Sequence, residues 1–353
     1  MIPIKTLVKR VRSVMDGSLS VGPLILELYP TRRCNLNCVY CDIPQRPSLL
    51  ELDAKEMDAL VTEACEHGAK EIRLLGEGEP LIRKKECLSL IETIKQYKVW
   101  GVLITNGTLF SLEDIKQLVA LGWDEVVFSL DSDDAEVQDY IRGKRGVYKQ
   151  VVSAMEQFKQ VKNELNADKP HIKINCVISK LNYRDLMGLT KLAYSLGVDE
   201  IYFDSLVVYQ PWMKRLKLGE REQQELQKEL PKLLCGLQNC NIDSNLQYFI
   251  RSSEFSRDAL TTKLNTNTTT CYRPWFCMVV QPDGTLRPCC NFSGTVASVK
   301  GKTLMGVWVG KEFQALRGDV LKGKQFKCSG FCTPPMRALN LAIANELENE
   351  NQA

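Results

Sequence analysis

The chain of 353 residues is poor in histidine and carries little net charge. Its two histidines are His67 and His171, which argues against a His-rich zinc site, a histidine base and a Ser-His-Asp triad. A formal net charge of +3 is too small to indicate a nucleic-acid partner. The sequence also lacks an internal repeat, a membrane-spanning run and the continuous apolar core of a secretory signal, so we expect a cytoplasmic protein.

Cysteine, by contrast, is abundant, with fourteen residues. In a reducing cytosol this number indicates metal or redox chemistry rather than disulfides. Charged residues make up 25% and hydrophobic residues 44%, as in an ordinary globular protein. We therefore expect sulfur to carry the reactivity.

Short apolar segments alternate with segments of helical periodicity from Leu24 to about Ser205, which predicts βα units around a parallel sheet. Six such units are too few for a closed eightfold barrel. The expected fold class is therefore α/β, a partial, TIM-like (β/α)6 barrel with a small Cys-rich C-terminal domain. The six strands are predicted around Leu24–Leu28, Glu71–Leu75, Gly101–Thr105, Glu125–Ser129, His171–Ile178 and Glu200–Phe203.

Five segments are expected along the chain. Residues 1–20 carry an amphipathic helix from Ile4 to Met15 with one basic face, which could touch a membrane surface or act as a transit peptide, but which we expect to cover one end of the next domain. The barrel is expected at 21–205, a helical linker at 206–269, the Cys-rich domain at 270–340 and a frayed acidic tail at 341–353.

Three cysteines follow the first predicted strand, in the segment Cys34-Asn-Leu-Asn-Cys38-Val-Tyr-Cys41. A [4Fe–4S] cube needs one ligand for each iron, so three thiolates leave one iron open for another ligand. A structural zinc site is the alternative, but such sites commonly use paired C-x2-C units with four ligands in total.

The C-x3-C-x2-C spacing, with an aromatic residue before the last cysteine, resembles the radical S-adenosylmethionine (SAM) superfamily. The resemblance implies that the open iron binds the amine and carboxylate of SAM. It also implies that one electron from the cluster cleaves SAM to a 5′-deoxyadenosyl radical, which abstracts a hydrogen atom from the substrate. A flavodoxin or ferredoxin is the reductant that the family implies.

Residues at the ends of strands are candidates to bind SAM, because ligands of parallel α/β proteins bind at the carboxyl ends of strands. Gly76-Glu77-Gly78-Glu79-Pro80 resembles the family's GGEP motif, which holds the methionyl amine, with Glu77 as a departure from it. A plain glycine turn is the alternative. The resemblance implies these cofactor-binding residues: Tyr40, Gly76, Gly78, Glu79, Asn106, Ser129, Asp131, Arg142, Asn175 and Val177.

Their implied contacts differ. Ser129 and Asp131 would contact the ribose or carboxylate of SAM, Arg142 a carboxylate, and Tyr40 and the strand of Val177 the adenine. For Asp131 a helix cap is the alternative. For Arg142 it is a surface ion pair.

Six of the fourteen cysteines lie between Cys271 and Cys332. The segment from Cys271 to Cys290 is typical of two strands joined by a Pro-Asp-Gly turn, and the dense thiols indicate a small domain held by metal rather than by a large apolar core. The segment resembles the SPASM or twitch extension of radical SAM enzymes, which implies auxiliary [4Fe–4S] clusters, while a zinc ribbon is the alternative. We expect one auxiliary cluster, with the ligands Cys271, Cys289, Cys328 and Cys332 and the substitutes Cys277 and Cys290.

The other cysteines stand singly. Cys65 and Cys87 fall on helical patterns and are expected to be small buried hydrophobes. Cys235 and Cys240 lie near the expected junction of the two domains and are candidates to donate a hydrogen atom to a substrate radical.

These features predict a radical SAM oxidoreductase or epimerase that acts on a small molecule such as a sugar or an aminocyclitol. The alternative is crosslinking or epimerisation of a ribosomally made peptide. The residues before Val21 are too few for the peptide-recognition domain that many such enzymes carry, which favours a small molecule or a peptide delivered by a separate protein. A hypothesis of another class is a metal-binding or electron-transfer module without turnover.

Overall fold

The structure is a computed structural model that describes residues 2–17, 20–47, 50–252, 255–258, 270–292, 294–323 and 332–352. The strands are β1 (Ile25–Leu28), β2 (Glu71–Leu74), β3 (Trp100–Thr105), β4 (Glu125–Ser129), β5 (His171–Ile178), β6 (Glu200–Val208), β7 (Asp243–Ser244), β8 (Ser256–Asp258), β9 (Cys277–Val280), β10 (Thr285–Arg287) and β11 (Ala297–Ser298). The α-helices are α1 (Ile4–Met15), α2 (Ala54–Glu66), α3 (Lys84–Gln96), α4 (Leu112–Ala120), α5 (Ala135–Arg142), α6 (Val147–Glu164), α7 (Leu186–Leu196), α8 (Glu220–Asn239), α9 (Leu246–Ser252), α10 (Leu304–Trp308), α11 (Lys311–Leu321) and α12 (Pro334–Gln352).

The chain forms two compact units. The first comprises residues 1–32, 48–101 and 263–353, and the second comprises residues 33–47 and 102–262. The five segments expected from the sequence follow other boundaries and stay a prediction.

In the first unit, the strand order is β11-β10-β9-β1-β2. β1 pairs in parallel with β2 and with β9, so that Ile25 lies between Glu71 and Cys277. β9 and β10 form the predicted antiparallel hairpin. The Cys-rich segment is therefore more than a metal-held appendage, because β9 satisfies the backbone groups along one edge of β1.

An apolar core joins the two ends of the chain within this first unit. Trp275, the last residue of a short 3-10 helix, and Phe276, the residue directly before β9, are almost fully buried and belong to one apolar cluster with Val11 of α1 and Ile343 of α12. α1 begins and ends where the sequence predicts and packs its apolar face into this core. The acidic tail expected to fray is instead helical in α12 as far as residue 352, and Ile343 of this helix is fully buried in the core.

The second unit contains a parallel sheet in the order β3-β4-β5-β6-β7, and β8 also pairs with β6. Ser129 of β4 lies opposite Asn175 of β5. α8 lies within the helical linker that the sequence predicts at 206–269. Residues 253–254 and 259–269 of the predicted linker lie outside the described residues.

Several helix ends carry local capping residues. Asp53 and Ser111 each form a capping box at the start of a helix, with Glu56 and Asp114 as the third residues. Gly122 and Gly197 take the left-handed conformation at helix ends. Among the described helices, none is both long and apolar enough to cross a membrane.

Candidate functional site

The three clustered cysteines lie on one loop of the second unit. Cys34 is exposed, and Cys38 and Cys41 are half-buried. The N–H of Cys41 donates to the carbonyl of Cys38 at 3.1 Å, which closes a turn. The N–H of Val39 donates to the carbonyl of Ile141 at 2.9 Å. The middle of the loop is thus attached by its backbone to the last turn of α5.

Asp131, two residues after β4, contacts several other residues of this region. Its side chain is fully buried. Oδ2 accepts the hydroxyl of Tyr40 at 2.8 Å and lies 2.6 Å from Nη2 of Arg142. Oδ1 accepts the backbone N–H of Val177 at 2.8 Å. One carboxylate therefore gathers three other residues that the sequence predicts as cofactor-binding.

These contacts bear on the alternative roles of Asp131 as a helix cap and of Arg142 as a surface ion pair. Asp131 does not cap α5, because Asp134 does so by accepting the N–H groups of Glu136 and Val137. Arg142 is in an ion pair, but the pair is buried rather than at the surface. The contact of Asp131 with a ribose stays a prediction, since both of its oxygens have protein donors.

Arg142 connects the carboxylate to the cysteine loop. Its guanidinium lies 5.6 Å from the centroid of the Tyr40 ring, and its positive charge acts on the thiol of Cys38. Burial alone would lower the pKa of Arg142, but Asp131, Tyr40 and Cys38 raise it above its ordinary value, so the side chain is a permanent cation. Its buried Nε has no hydrogen-bond partner among the described residues. Leaving such a donor unpaired costs about 1–3 kcal/mol, so the site suits an acceptor such as a sulfide or a carboxylate.

Gly143, the residue after Arg142, brings α5 close to the same loop. It ends the helix in the left-handed conformation with φ +67°. A Cβ at this position would overlap the backbone carbonyl oxygen of Asn37. The Arg-Gly element therefore supplies a cation from one residue and a close backbone approach from the next.

The three thiols suit a [4Fe–4S] cluster chemically. Burial raises the pKa of Cys38, while the charge of Arg142 opposes this, and burial raises the pKa of Cys41 to about 11. Thiols of this kind become ligands where a metal replaces the proton. In the part of the chain that the structure describes, no three Cys, His, Asp or Glu side chains surround a point for a single metal ion. A cubane differs, because each thiolate binds its own iron.

Other predicted residues of the second unit also reach this region. The amide of Asn106 donates to Oδ1 of Asn35 at 2.9 Å, and Asn35 donates to the hydroxyl of Thr108 at 2.8 Å. The end of β3 is thereby tied to the cysteine loop. Ser129 and Asn175 are half-buried neighbours at the carboxyl ends of β4 and β5.

The Gly76–Pro80 segment lies in the first unit, after β2. Glu79 is buried and accepts the N–H of Leu81 at 3.0 Å, which caps the short 3-10 helix Pro80–Arg83. Gly76 has no left-handed φ, and a Cβ there would meet only ordinary contacts, the nearest at 3.4 Å from the carbonyl oxygen of Thr31. Because the protein itself has room for alanine at 76, the glycine is consistent with the close approach of a ligand.

Glu77, the departure from the family motif, has a structural partner. It forms an ion pair with Arg32 at 2.6 Å. Glu51 accepts both the hydroxyl of Thr31 and the N–H of Arg32. Two carboxylates therefore hold the segment that directly precedes Arg33 and the cysteine loop in the chain.

Three of the four expected auxiliary ligands line one cavity in the first unit. They are Cys271, Cys289 and Cys332, and Arg273 lines the same cavity. The fourth, Cys328, lies outside the described residues. Of the two substitutes, Cys277 is fully buried in β9 and Cys290 is exposed. The grouping agrees with the expected set, and the ligand assignment stays a prediction.

The two thiols predicted as hydrogen donors lie elsewhere. Cys235 is exposed on α8. Cys240 ends α8 just before β7, whose Asp243 pairs with Glu200 at the amino end of β6. Asp131 and its partners, by contrast, lie at the carboxyl ends of the strands. The role of the two thiols as hydrogen donors stays a prediction.

Sequence reasoning missed a buried charged network in the first unit. Glu27 of β1 accepts from Nη2 of Arg273 at 2.9 Å and lies 3.6 Å from Arg73 of β2. Arg73 also pairs with Glu71. The available signal was Glu27 itself, a charge within the apolar run Leu24–Leu28, because a buried charge needs a partner.

Two family models match the chain. The model of the radical SAM superfamily matches residues 28–193, and the model of the SPASM iron-sulfur cluster-binding domain matches residues 271–333. The chain carries a radical SAM domain and a SPASM domain. Its cofactors are accordingly SAM and the [4Fe–4S] cluster of the radical SAM domain, together with auxiliary iron–sulfur clusters in the SPASM domain, as expected. One auxiliary cluster rather than two stays a prediction.

Curated relatives of this radical SAM and SPASM chain are similar over part of their length. The AdoMet-dependent heme synthase of Methanosarcina barkeri is 30% identical over 182 residues, which is 51% of this chain and 50% of that protein. The PqqA peptide cyclase of Methylocella silvestris is 32% identical over 187 residues, which is 50% of this chain and 45% of that protein. The chain spans about half the length of the curated relatives it matches.

Solved structures share its fold more completely. SuiB of Streptococcus suis, bound to S-adenosylmethionine, matches with a TM-score of 0.68 at 19% identity. The match covers 88% of this chain and 71% of the SuiB chain. The protein anSMEcpe, with bound AdoMet and Cp18Cys peptide, matches with a TM-score of 0.64 at 18% identity. The match covers 94% of this chain and 100% of the anSMEcpe chain. These likenesses confirm the predicted fold class, an α/β partial barrel with a small Cys-rich C-terminal domain.

Proposed function

We propose that this protein is a radical SAM enzyme that modifies a peptide substrate. The observation that carries the radical chemistry is the buried Asp131–Arg142 pair, whose carboxylate accepts the hydroxyl of Tyr40 in the three-cysteine loop. An electron-transfer module without turnover has no need of a cluster with only three cysteine ligands. It also has no need of a buried cation such as Arg142 beside that cluster. When bound, the cluster supplies the electron that cleaves SAM to a 5′-deoxyadenosyl radical.

Residues of the chain have separate tasks in this proposal. Cys34, Cys38 and Cys41 bind the radical SAM cluster, and Asp131 and Arg142 hold their loop. The glycine at 76 lets the methionyl group of SAM approach the backbone. Cys271, Cys289, Cys328 and Cys332 bind the auxiliary cluster.

The peptide is favoured over the sugar or aminocyclitol by what the similar proteins act on or bind. The PqqA peptide cyclase is named for a peptide substrate. SuiB has been solved bound to the precursor peptide SuiA, and anSMEcpe with bound AdoMet and the Cp18Cys peptide. The alternative expected from the sequence therefore becomes the main proposal, and oxidation or epimerisation of a small molecule becomes the competing one.

A buried amide in the first unit is chemically suited to a peptide. Gln281, directly after β9, is 1% exposed, and neither Oε1 nor Nε2 has a partner among the described residues. A primary amide offers donors and an acceptor together. A peptide group offers the complementary acceptor and donor, so Gln281 is our candidate for a contact with the peptide backbone.

Anaerobic purification tests the radical chemistry. We expect about eight irons per chain, four for each [4Fe–4S] cluster, and release of 5′-deoxyadenosine when dithionite and SAM are added. The variant Cys34→Ala/Cys38→Ala/Cys41→Ala serves as the control and should release none. Zinc in place of iron, together with no cleavage of SAM, would contradict the proposal.

A second assay tests the substrate class. The holoprotein is incubated with SAM and dithionite, in separate reactions, with a synthetic peptide library and with a panel of sugar alcohols and aminocyclitols. Mass spectrometry should find modified peptides only. In heavy water, deuterium in the product indicates epimerisation, and loss of two hydrogens indicates a crosslink or oxidation. Turnover confined to the small-molecule panel would support the competing proposal.

A further inference from the structure

Arg273 lies among the cysteines of the SPASM domain. It begins the short 3-10 helix Arg273–Trp275, between Cys271 and β9. The residue is 4% exposed and lines the cavity that Cys271, Cys289 and Cys332 also line. Its Nε has no hydrogen-bond partner among the described residues. A buried donor therefore accompanies three thiols around one space.

The charge of Arg273 is only partly balanced. Nη2 donates to Oε1 of Glu27 at 2.9 Å. Glu27 also lies 3.6 Å from Arg73, which in turn pairs with Glu71. The charges thus alternate in sign along the row Arg273, Glu27, Arg73, Glu71. The cationic end of this row is the residue that shares the cavity with the cysteines.

We propose that Arg273 is a positioning residue that raises the reduction potential of the auxiliary iron–sulfur cluster, and that Glu27 limits this effect by sharing the charge of Arg273. The cavity lined by three cysteines and the orphaned Nε fit a cluster bound beside this guanidinium. The inference rests on the auxiliary cluster of the proposed function and is independent of the identity of the substrate.

The physical basis is electrostatic. Taking up one electron, supplied by dithionite in the titration below, makes the cluster more negative by one charge. A buried cation nearby stabilises the reduced form, because charges interact more strongly away from water. Hydrogen bonds to the sulfurs and the net charge of the surroundings are known determinants of cluster potentials. Arg273 offers a positive charge and an unpaired Nε donor beside the cavity, and Glu27 opposes it with one negative charge.

Redox titration of the full-length holoprotein tests the inference. The EPR signal of the auxiliary cluster is identified as the one that Cys34→Ala/Cys38→Ala/Cys41→Ala retains. For Arg273→Gln, we expect the ratio of reduced to oxidised cluster at a fixed potential to fall about tenfold, a 59 mV shift for one electron. For Glu27→Gln, we expect a shift in the opposite direction, because Arg273 then keeps its full charge.

The opposite signs separate an electrostatic role from a disturbed structure. A structural disturbance would move both variants in the same direction, and this result would overturn the inference. Arg273→Lys retains the charge and should recover most of the wild-type potential. If Arg273→Gln does not retain its cluster, Glu27→Gln and Arg273→Lys decide the question.

The outcomes also separate this inference from the proposed function. An auxiliary cluster whose potential is the same in wild type, Arg273→Gln and Glu27→Gln would overturn the inference alone. A wild-type protein that holds about four irons, all lost in the Cys34→Ala/Cys38→Ala/Cys41→Ala variant, has no auxiliary cluster, and it would overturn both.

Discussion

The guanidinium of Arg142 and the carboxylate of Asp131 form a buried ion pair, with 2.6 Å between Nη2 and Oδ2. The two residues come from the last turn of α5 and from the segment after β4. Tyr40 of the cysteine loop donates to the same carboxylate oxygen. The ion pair thus links the end of a strand, the end of a helix and the loop that carries three cysteines.

Neutralising the carboxylate should cost both stability and iron. Asp131→Asn keeps the shape of the side chain but leaves the cation of Arg142 buried without a counter-charge. We expect the free energy of unfolding of the apo-protein to fall by about 3–5 kcal/mol, measured by urea denaturation, and the radical SAM cluster to be lost.

Asp134→Asn is the matched control for that experiment. Asp134 is exposed and caps α5, and asparagine caps a helix about as well as aspartate. The control should therefore keep wild-type stability and iron. Equal stability of the two variants would show that the buried pair does not hold the loop.

Gly143 and Gly146 both have a left-handed backbone conformation, but their surroundings differ. Both have positive φ, of +67° and +84°. A Cβ at 143 would overlap the carbonyl oxygen of Asn37, whereas at 146 it would meet nothing within 4 Å. Each alanine variant should lose about 1–2 kcal/mol from left-handed strain. Only Gly143→Ala should also lose the radical SAM iron in a colorimetric iron assay; equal retention in both variants would refute this.

Gly76→Ala separates a ligand contact from an ordinary turn. Because the protein has room for a Cβ at 76, the free energy of unfolding should stay the same. If the backbone of Gly76 contacts SAM, the dissociation constant of SAM for the holoprotein should rise about tenfold, or about 1.4 kcal/mol, in anaerobic equilibrium dialysis. Gly318→Ala, in the open middle of α11, is the control and should bind SAM normally. Normal binding by Gly76→Ala would favour the plain turn.

Cys332→Ala tests the auxiliary ligand set. The iron content should fall from about eight to about four per chain, since one complete cluster is lost. The exposed Cys235 provides the control, and Cys235→Ala should keep all the iron. A zinc ribbon would instead show a loss of zinc in Cys332→Ala, with the iron unchanged.

Two buried glutamines should respond differently to replacement by leucine. Gln138 donates to the carbonyl of Ser129 and accepts the N–H of Asp131, so Gln138→Leu should be destabilising. Gln281 has no partner for its amide, so Gln281→Leu should leave the free energy of unfolding unchanged or raise it by about 1–3 kcal/mol. Gln281→Leu should nevertheless raise the KM for a peptide substrate. A loss of stability in Gln281→Leu as large as that in Gln138→Leu would contradict this assignment.

Much of this molecule is determined locally and is therefore visible in the sequence. The spacing of Cys34, Cys38 and Cys41 lies within one loop and needs no knowledge of distant residues. The six strands β1 to β6 follow from apolar periodicity, and the ends of α2 and α4 follow from the capping residues Asp53 and Ser111. These features depend on neighbours a few residues apart, where the chemistry of each side chain is decisive.

The tertiary structure alone decided how these parts are held. Glu27 and Arg273 are 246 residues apart in the chain, and β9 lies beside β1 only because the fold brings their edges together. Asp131, which the sequence marked as a ligand of SAM, proved to be the buried partner of Arg142 and Tyr40. The partner of a buried charge or of a strand edge can lie far away in the chain. The local sequence does not specify it, because any of several acids, bases or edges would fit equally well. The cysteine spacing and the βα alternation are local properties of the chain, while folding selected which charge neutralises which.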